Sequence, residues 1–320
     1  MGMIRPMHIT VAVCTWNRCE SLRRTLKQMT MLVVPDEVSW ELLVINNNSS
    51  DRTEDVARSF ASSLPIRHIF EPRPGLSNAR NRAVSEAAGE YILWTDDDIL
   101  VDPGWLVCYC EAFTKWPNAS IFGGPIEAVF EGHPPDWLKQ VCTRVSDAFA
   151  IRELGEHATR FTHDLVPYGA NFALRLEEQR CYPYDPQLGV GPKNVVRGEE
   201  TTVVRNMLSD GAIGWWVPPA RVRHLIPKSR QTISYLGGYF SGRSVFWGWQ
   251  HAASARSIFW PQLKRTLLFE IRFQVRRYLR QPEVWIEDLI WSSICWGILR
   301  GLLQGSQAAT TDGIKETSES

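Results

Sequence analysis

Several things are missing from this sequence, and each absence narrows the field. No apolar run reaches the ~20 residues that a helix needs to cross a bilayer: the stretch Leu289 to Leu303 is bounded by Glu287 and Asp288 and broken by Arg300. Met1 to His8 leads into an apolar segment that Asn17 and Arg18 interrupt, too short for a signal peptide or a span. The seven cysteines are odd in number and show no paired spacing; Cys108-Tyr109-Cys110 has a one-residue gap that suits neither zinc nor a thioredoxin motif. That pattern argues against a disulfide framework, and a reduced cytosolic compartment fits. Acids are almost absent from residues 221–280, where twelve Lys and Arg stand against the single Glu270. Because the net charge of the chain is zero, a basic segment is attached to an acidic body.

What is present is a globular chain of 320 residues, 44% hydrophobic, enough for one large domain or two small ones. β-branched and apolar Ile9 to Cys14 predicts a first strand, and Leu22, Leu26 and Met29 space out a helix over 20–30. Trp40 to Ile45 is a second strand, Thr53 to Phe60 a second helix, and Ile66 to Phe70 a third strand. Ser77 is expected to cap a helix from Asn78 to Ala88, with Gly89 as its stop. Tyr91-Ile92-Leu93-Trp94 then reads as a strand covered on both faces. Strand–helix alternation of this kind implies a doubly wound α/β sheet, mostly parallel.

That fourth strand ends in Asp96-Asp97-Asp98 before the chain turns apolar again. Like charges so close are costly unless a cation or solvent relieves them, and ligands of open α/β sheets gather at the carboxyl ends of strands. Three hard carboxylates suit Mg²⁺ or Mn²⁺ with positions left for phosphates; a solvated acidic turn is the competing account. Further on, 101–117 predicts a helix and 121–126 a strand, with Gly123-Gly124 marking close approach to another strand or to a ligand. Pro134-Pro135-Asp136-Trp137-Leu138 opens either a helix over a cleft or a surface loop. Tyr168 to Leu174 predicts a strand and Gly198-Glu199-Glu200 the start of a helix, where acids are also favoured by the helix dipole alone. His157 and His163 stand singly as unassigned polar surface, and Trp215-Trp216 is either core or an exposed apolar platform.

Val13 to Arg18, Val44 to Thr53, Pro74 to Asn81, Asp96 to Asp98, Tyr168 to Phe172, Gly198 to Glu200 and Val222 to His224 occur in the order and spacing of family 2 glycosyltransferases. The resemblance covers about residues 9–225 and implies the GT-A fold. It divides the chain into a GT-A domain over 1–225 (a nucleotide-binding half 1–125 and an acceptor half 126–225), a basic, Trp-rich helical extension over 226–303, and a disordered tail over 304–320. The implied activity is inverting, metal-dependent, hexosyltransferase-like transfer of a sugar from a nucleotide-diphosphate donor to a hydroxyl acceptor in polysaccharide or glycolipid biosynthesis.

By the same resemblance Asp98 and His224 ligate the divalent cation, Mn²⁺ or Mg²⁺, together with Asp96. Asp96 or Asp97 reaches the nucleotide. Thr15, Asn17 and Arg18 line the base and ribose pocket, Asn48 belongs to the donor loop, Arg80 is the basic residue near the donor, and Asn171 contacts the donor sugar. Glu200 corresponds to the general base, with Glu199 in reserve. Asn46 departs from the acid usual at its position; a UDP-sugar is the family's usual donor, and an amide that both donates and accepts leaves the nucleotide open. The acceptor implied is a glycan or lipid-linked sugar; no nucleic-acid partner is expected.

Beyond residue 225 the reading rests on pattern alone. Leu263, Leu267, Ile271, Val275 and Tyr278 recur at four- and three-residue steps, with Arg265, Arg272, Arg276, Arg277 and Arg280 mainly opposite. Such a basic amphipathic helix either lies on an anionic membrane or docks on a protein core with its charges in solvent. Eight of the fourteen Trp fall between Trp215 and Trp296, a composition of interfacial proteins. Peripheral contact through 263–303, at the inner face of the plasma membrane, is therefore expected of a cytoplasmic chain. Two rival functions remain: a sugar-phosphate nucleotidyltransferase, which would carry a Gly-rich basic loop where Thr15-Trp16-Asn17-Arg18 stands, and a non-catalytic nucleotide-sugar or membrane-binding module.

Overall fold

The computed structural model describes residues 5–191 and 197–316, with side chains to residue 305. Two compact units are distinguished: one of residues 1–129, 149–194 and 198–226, the other of 130–148, 195–197 and 227–320.

In the first unit, β1 (Met7–Thr15), α1 (Cys19–Met29), β2 (Val38–Asn46), α2 (Thr53–Ser59), β3 (Ile66–Phe70), α3 (Leu76–Glu86) and β4 (Tyr91–Asp96) alternate as the pattern predicts. They are followed by β5 (Ile99–Val101), α4 (Trp105–Lys115), β6 (Ile121–Gly123) and β7 (Ile126–Phe130). The second unit opens with α5 (Asp136–Val141), so the Pro-Pro segment does start a helix. The first unit resumes with β8 (Phe172–Arg175), α6 (Leu176–Gln179), α7 (Glu199–Ser209), β9 (Gly214–Trp216) and β10 (Val222–Ile226). A seven-stranded sheet runs β3-β2-β1-β4-β8-β6-β9, parallel except for β8, and a small sheet runs β5-β10-β7. Residue 101, expected to begin a helix, instead ends β5, because Ile99 to Val101 pair with β10, and α4 starts only at Trp105.

Alternation along the strands sorts the core into two layers. Val11, Val13, Leu42, Val44, Tyr91 and Leu93 meet Leu22 and Leu26 of α1 and Trp105 and Phe113 of α4. Ala12, Leu43, Ile45, Ile92 and Trp94 meet Ala79 and Ala83 of α3 and Val203, Val204 and Met207 of α7. Gly89 is not a helix stop: α3 ends when Ala87 turns extended, and a Cβ on Gly89 would lie 2.5 Å from the Thr10 nitrogen. Nor does Ser77 cap α3. Its hydroxyl donates to the Leu188 carbonyl at 2.7 Å. Gly124 is small because the Ala220 backbone and the Asn171 amide press on it, so strand approach is its cause. Trp216 is fully buried and Trp215 stacks on Trp116 at 4.9 Å, which gives this pair to the core.

The second unit is completed by α8 (Ile233–Gln250), α9 (Ala255–Leu279) and α10 (Pro282–Glu316). Gly248 of α8 and Gly297 and Gly301 of α10 leave no room for a Cβ against the opposing backbone, so these helices cross at close range. α10 continues as helix to Glu316, past the expected tail boundary at 304. The amphipathic stripe of α9 is oriented opposite to what docking on a core requires: Leu267, Ile271, Val275 and Tyr278 are exposed, while Arg272 and Arg276 turn to Asp288 of α10. All seven cysteines are free.

Candidate active site

Parallel register brings four strand ends into one row. Thr15 pairs with Asn46, Asn46 with Phe70, and Cys14 with Asp96, so the loops after β1, β2, β3 and β4 emerge together. The strand order turns back between β1 and β4, the place where open α/β sheets form their binding crevice. Loop residues hold one another there. Asn17, at φ 51°, accepts from the Ser50 backbone N–H at 2.7 Å, and its own N–H donates to Ser49 Oγ at 2.9 Å. Asn46 Oδ1 accepts from the Ser49 N–H at 3.0 Å. Asn48 sits exposed in the left-handed region, φ 59°, which Asn tolerates better than most residues.

The aspartate triplet is divided between two neighbourhoods, Asp97 and Asp98 at Arg18 and Asp96 towards Arg80. Asp97, 3% exposed, accepts from Thr15 Oγ1 at 2.7 Å and from Arg18 Nη1 at 2.6 Å. Burial pushes its carboxyl up to about 7 against the pull of Arg18. Asp98, also 3% exposed, takes the other arm of Arg18 at 2.7 Å, so one guanidinium spans two carboxylates. Burial works against the charge of Arg18, but Asp97 and Asp98 outweigh it and raise its pKa. Asp96 continues the alternation of β4 and shares the face of Trp94. Burial raises its carboxyl; Arg80 draws it down and Asp98 pushes it up.

β10 delivers the late histidine. His224 pairs with Ile99 of β5, the Leu225 N–H donates to the Asp98 carbonyl at 2.9 Å, and His224 Nε2 lies 3.3 Å from Asp98 Oδ2. The opposite ring nitrogen, Nδ1, is 2.7 Å from the Phe149 carbonyl, which can only accept, so Nδ1 donates there and Nε2 is the nitrogen turned to Asp98. A buried carboxylate beside an imidazole nitrogen is a fitting partial donor set for a divalent cation. No group of three or more such ligands occurs among the described residues. Two protein ligands are what Mg²⁺-type sites completed by substrate phosphates use.

A second constellation lies on the other face of β4. Arg80 of α3, 3% exposed, is no solvated helix residue: its guanidinium carbon is 5.3 Å from the Trp94 ring centroid, 5.6 Å from Phe172 and 5.4 Å from Tyr184. Glu199 Oε1 lies 4.0 Å from its Nε, and Arg80 Nη1 is buried with no hydrogen-bond partner among the described residues. Burial opposes Arg80's charge, yet Tyr184, Glu199 and Glu200 together raise its pKa. Burial and then the Glu200 charge push the Glu199 carboxyl up to about 7. Gly169 faces this pair: a Cβ there would stand 2.9 Å from Arg80 Nη2 and 3.3 Å from Glu200 Oε1. Glu199 is buried and Glu200 half-buried, both in the first turn of α7.

A profile for glycosyl transferase family 2 matches residues 10–176, more than half of the chain. The chain belongs to glycosyltransferase family 2. The glycosyltransferase is 24% identical over 232 residues to the succinoglycan biosynthesis protein ExoM of Rhizobium meliloti (strain 1021), covering 72% of this chain and 71% of that protein. It is 27% identical over 119 residues to the poly-beta-1,6-N-acetyl-D-glucosamine synthase of Staphylococcus epidermidis, 37% of this chain but 28% of that protein. Among solved structures, the mannosyltransferase PcManGT from Pyrobaculum calidifontis, in complex with GDP-Man and Mn2+, superposes with TM-score 0.55 at 16% identity, covering 95% and 89% of the two chains. S. aureus TarS 1-349 in complex with UDP-GlcNAc gives TM-score 0.52 at 13% identity, covering 93% and 92%. The fold is GT-A, and the enzyme is a glycosyltransferase.

One expected contact is not available to a sugar. Asn171 is fully buried, and its amide is saturated: Oδ1 accepts from Trp105 Nε1 at 2.8 Å and Tyr109 OH at 2.9 Å, while Nδ2 donates to the Pro125 and Ala220 carbonyls at 2.9 and 2.7 Å. It ties α4 to the chain before β7 and β10 instead of contacting the donor. Other residues of the site carried little sequence signal. Asp51 accepts from the Cys19 N–H at 2.9 Å and from Thr53 Oγ1 at 2.5 Å, so one carboxylate fixes the starts of α1 and α2. Asn47 bridges to the Arg73 carbonyl at 2.7 Å and the Gly75 N–H at 2.8 Å. Both lay inside the polar run after β2, where a loop was all that composition could specify. Tyr184, in an irregular loop, had no signal at all.

Proposed function

We propose that the enzyme transfers a sugar from a nucleotide-diphosphate donor to a hydroxyl of a growing glycan or lipid-linked acceptor, with inversion at the anomeric carbon. The observation that carries this reading is the juxtaposition, at the carboxyl end of the central strand β4, of Arg18, Asp97, Asp98 and His224 with Arg80, Glu199 and Glu200 on its opposite side. Asp98 and His224, with Asp96 adjacent, are the residues that would hold Mn²⁺ or Mg²⁺. Such an ion, when bound, takes up charge on a departing diphosphate. Thr15, Asn17, Asn46 and Asn48 shape the donor loops, and Arg18, Arg80, Asp96 and Asp97 face the donor. A UDP-sugar is the donor we assign, in keeping with the UDP-GlcNAc bound by TarS; PcManGT, with GDP-Man, makes guanine the competing base.

Glu200 accepts the proton of the acceptor hydroxyl. The freed oxygen forms its bond to the anomeric carbon as the bond from that carbon to the diphosphate breaks on the far side. One displacement of this kind inverts the centre. Glu199 is less suited to the role because Arg80 lies beside it and burial removes it from an incoming acceptor. The synthesis of succinoglycan by ExoM's pathway and of poly-N-acetylglucosamine by the staphylococcal enzyme supports a polysaccharide product. We place the enzyme at the inner face of the plasma membrane, in contact through 263–303.

Hydrolysis of a panel of nucleotide sugars, with Mn²⁺, Mg²⁺ or chelator, tests the donor and the ion. One donor should be turned over, and chelator or Asp98→Ala should abolish the release of nucleoside diphosphate. With an acceptor present, Glu200→Gln should lower transfer by about 10²–10⁴ while donor affinity stays unchanged. Full transfer activity in Glu200→Gln would remove it as the base.

A further inference from the structure

α9 is built inside out. Its buried positions are Gln262, Thr266 and Phe273, and its half-buried Arg272 and Arg276 grip Asp288 of α10 at 3.0 Å each, a carboxylate 2% exposed. Glu270, the helix's single acid, also turns to α10, accepting from Ser292 Oγ at 2.6 Å. The outward face holds Trp260, Leu267, Leu268, Ile271, Val275, Tyr278 and Leu279, which are between 49% and 77% exposed. These recur at three- and four-residue steps, so they form one stripe along the helix. A water-facing helix places its polar residues outward; this one uses them as internal links and leaves its large apolar side chains uncovered.

The charges around the stripe identify what covers it. Arg256, Lys264, Arg265 and Arg277 on the same helix and Arg280 just past its end are all exposed, and no exposed acid accompanies them. Trp291 of α10, 51% exposed, stacks on Phe269 beside it. No helix among the described residues is long and apolar enough to cross a membrane. We infer that the outer face of α9 lies in the interface of an anionic lipid bilayer, its apolar stripe at the acyl boundary and its basic side chains among the headgroup phosphates. A protein partner or a second copy of the chain would need acids to match five cations. The opposite charge is instead a standing property of an anionic leaflet. This deepens the peripheral contact proposed above. It depends on the glycosyl-transfer reading for the nature of the acceptor only, since lipid binding is measured without any sugar.

Co-sedimentation of the full chain with phosphatidylglycerol–phosphatidylcholine vesicles, against pure phosphatidylcholine, tests the inference. Binding should require the anionic lipid and weaken at high salt. Leu268→Glu with Ile271→Glu should lower partitioning by roughly tenfold or more. Arg265→Gln with Arg277→Gln should lower it by roughly fivefold per charge removed. Circular dichroism and hydrolysis of a soluble nucleotide sugar should be unaltered in both variants, which separates loss of lipid binding from loss of fold or of glycosyl transfer. Absence of binding to anionic vesicles, or binding that neither pair of substitutions reduces, would overturn the inference. So would light scattering that shows a dimer which Leu268→Glu with Ile271→Glu converts to monomer.

Discussion

Asn171 illustrates how a polar residue near an active site acts through the architecture. Each of its four hydrogen-bonding positions is matched by a partner in the core, so the side chain joins α4, the chain before β7 and the turn before β10. Removing the amide takes a partner from Trp105 Nε1, Tyr109 OH and the Ala220 carbonyl, while the Pro125 carbonyl keeps the Val222 N–H at 3.1 Å, and each buried group left unpaired costs about 1–3 kcal/mol. Asn171→Ala is therefore expected to lower unfolding stability by about 3 kcal/mol or more in denaturant titration. At temperatures where the variant remains folded, its KM for donor should stay near that of the parent, because the amide offers nothing to a ligand. A large rise in KM without loss of stability would return Asn171 to the donor site.

At the level of elements, the site depends on three close approaches: β10 against β5, which sets His224 beside Asp98; α3 under β4, which buries Arg80 among Trp94, Phe172 and Tyr184; and the turn before β8 against α7. Gly169 lies in that turn. Gly169→Ala places a methyl 2.9 Å from Arg80 Nη2 and 3.3 Å from Glu200 Oε1, so one of those side chains has to give way. A displacement near an ångström is enough to spoil attack geometry. The expected result is a loss of about tenfold or more in kcat for transfer; a rise in donor KM beside it would mean that Arg80, which faces the donor, is the side chain that moves, and an unchanged KM that Glu200 is. Unchanged kcat would mean that Glu200 has room to move.

At the scale of the whole molecule, the buried acids pull stability in two directions: Glu41 and Glu71, held below their ordinary range, favour the fold as pH rises through the acid range, whereas Glu199, held above it, works against the fold as pH rises towards 7. Burial and the neighbouring Glu200 charge push the Glu199 carboxyl up to about 7 from its ordinary 4.5. Between those values the folded state keeps a proton that the unfolded state has released, so the proton number is larger in the folded state and this contribution to stability decreases with pH. Glu199→Gln cannot ionise. It should match the parent near pH 4 and exceed its stability above pH 7, by up to about 3 kcal/mol, as read from unfolding midpoints across that range. A parent and variant that respond identically to pH would show that Arg80 fully compensates the buried charge.

Alternation of strands and helices over the first hundred residues, the acids at the end of β4, the acidic start of α7 and the lack of a disulfide pattern were all legible in the chain, because backbone periodicity, charge cost and cysteine spacing are local properties. The assignment of Arg80 to a buried aromatic cage was not, since Trp94, Phe172 and Tyr184 converge from distant segments and an arginine on a short helix is exposed by default. Asn171 is similar: the local pattern around it marks a strand, but its partners come from positions 46 to 66 residues away. α9 makes the point most plainly. Its two faces could be read from spacing, yet which of them turns outward depends on Asp288, a residue of the next helix whose carboxylate draws Arg272 and Arg276 inward and leaves the apolar stripe in the open. A helical period specifies that a helix has sides; the charges and shapes of its neighbours choose the side that is buried.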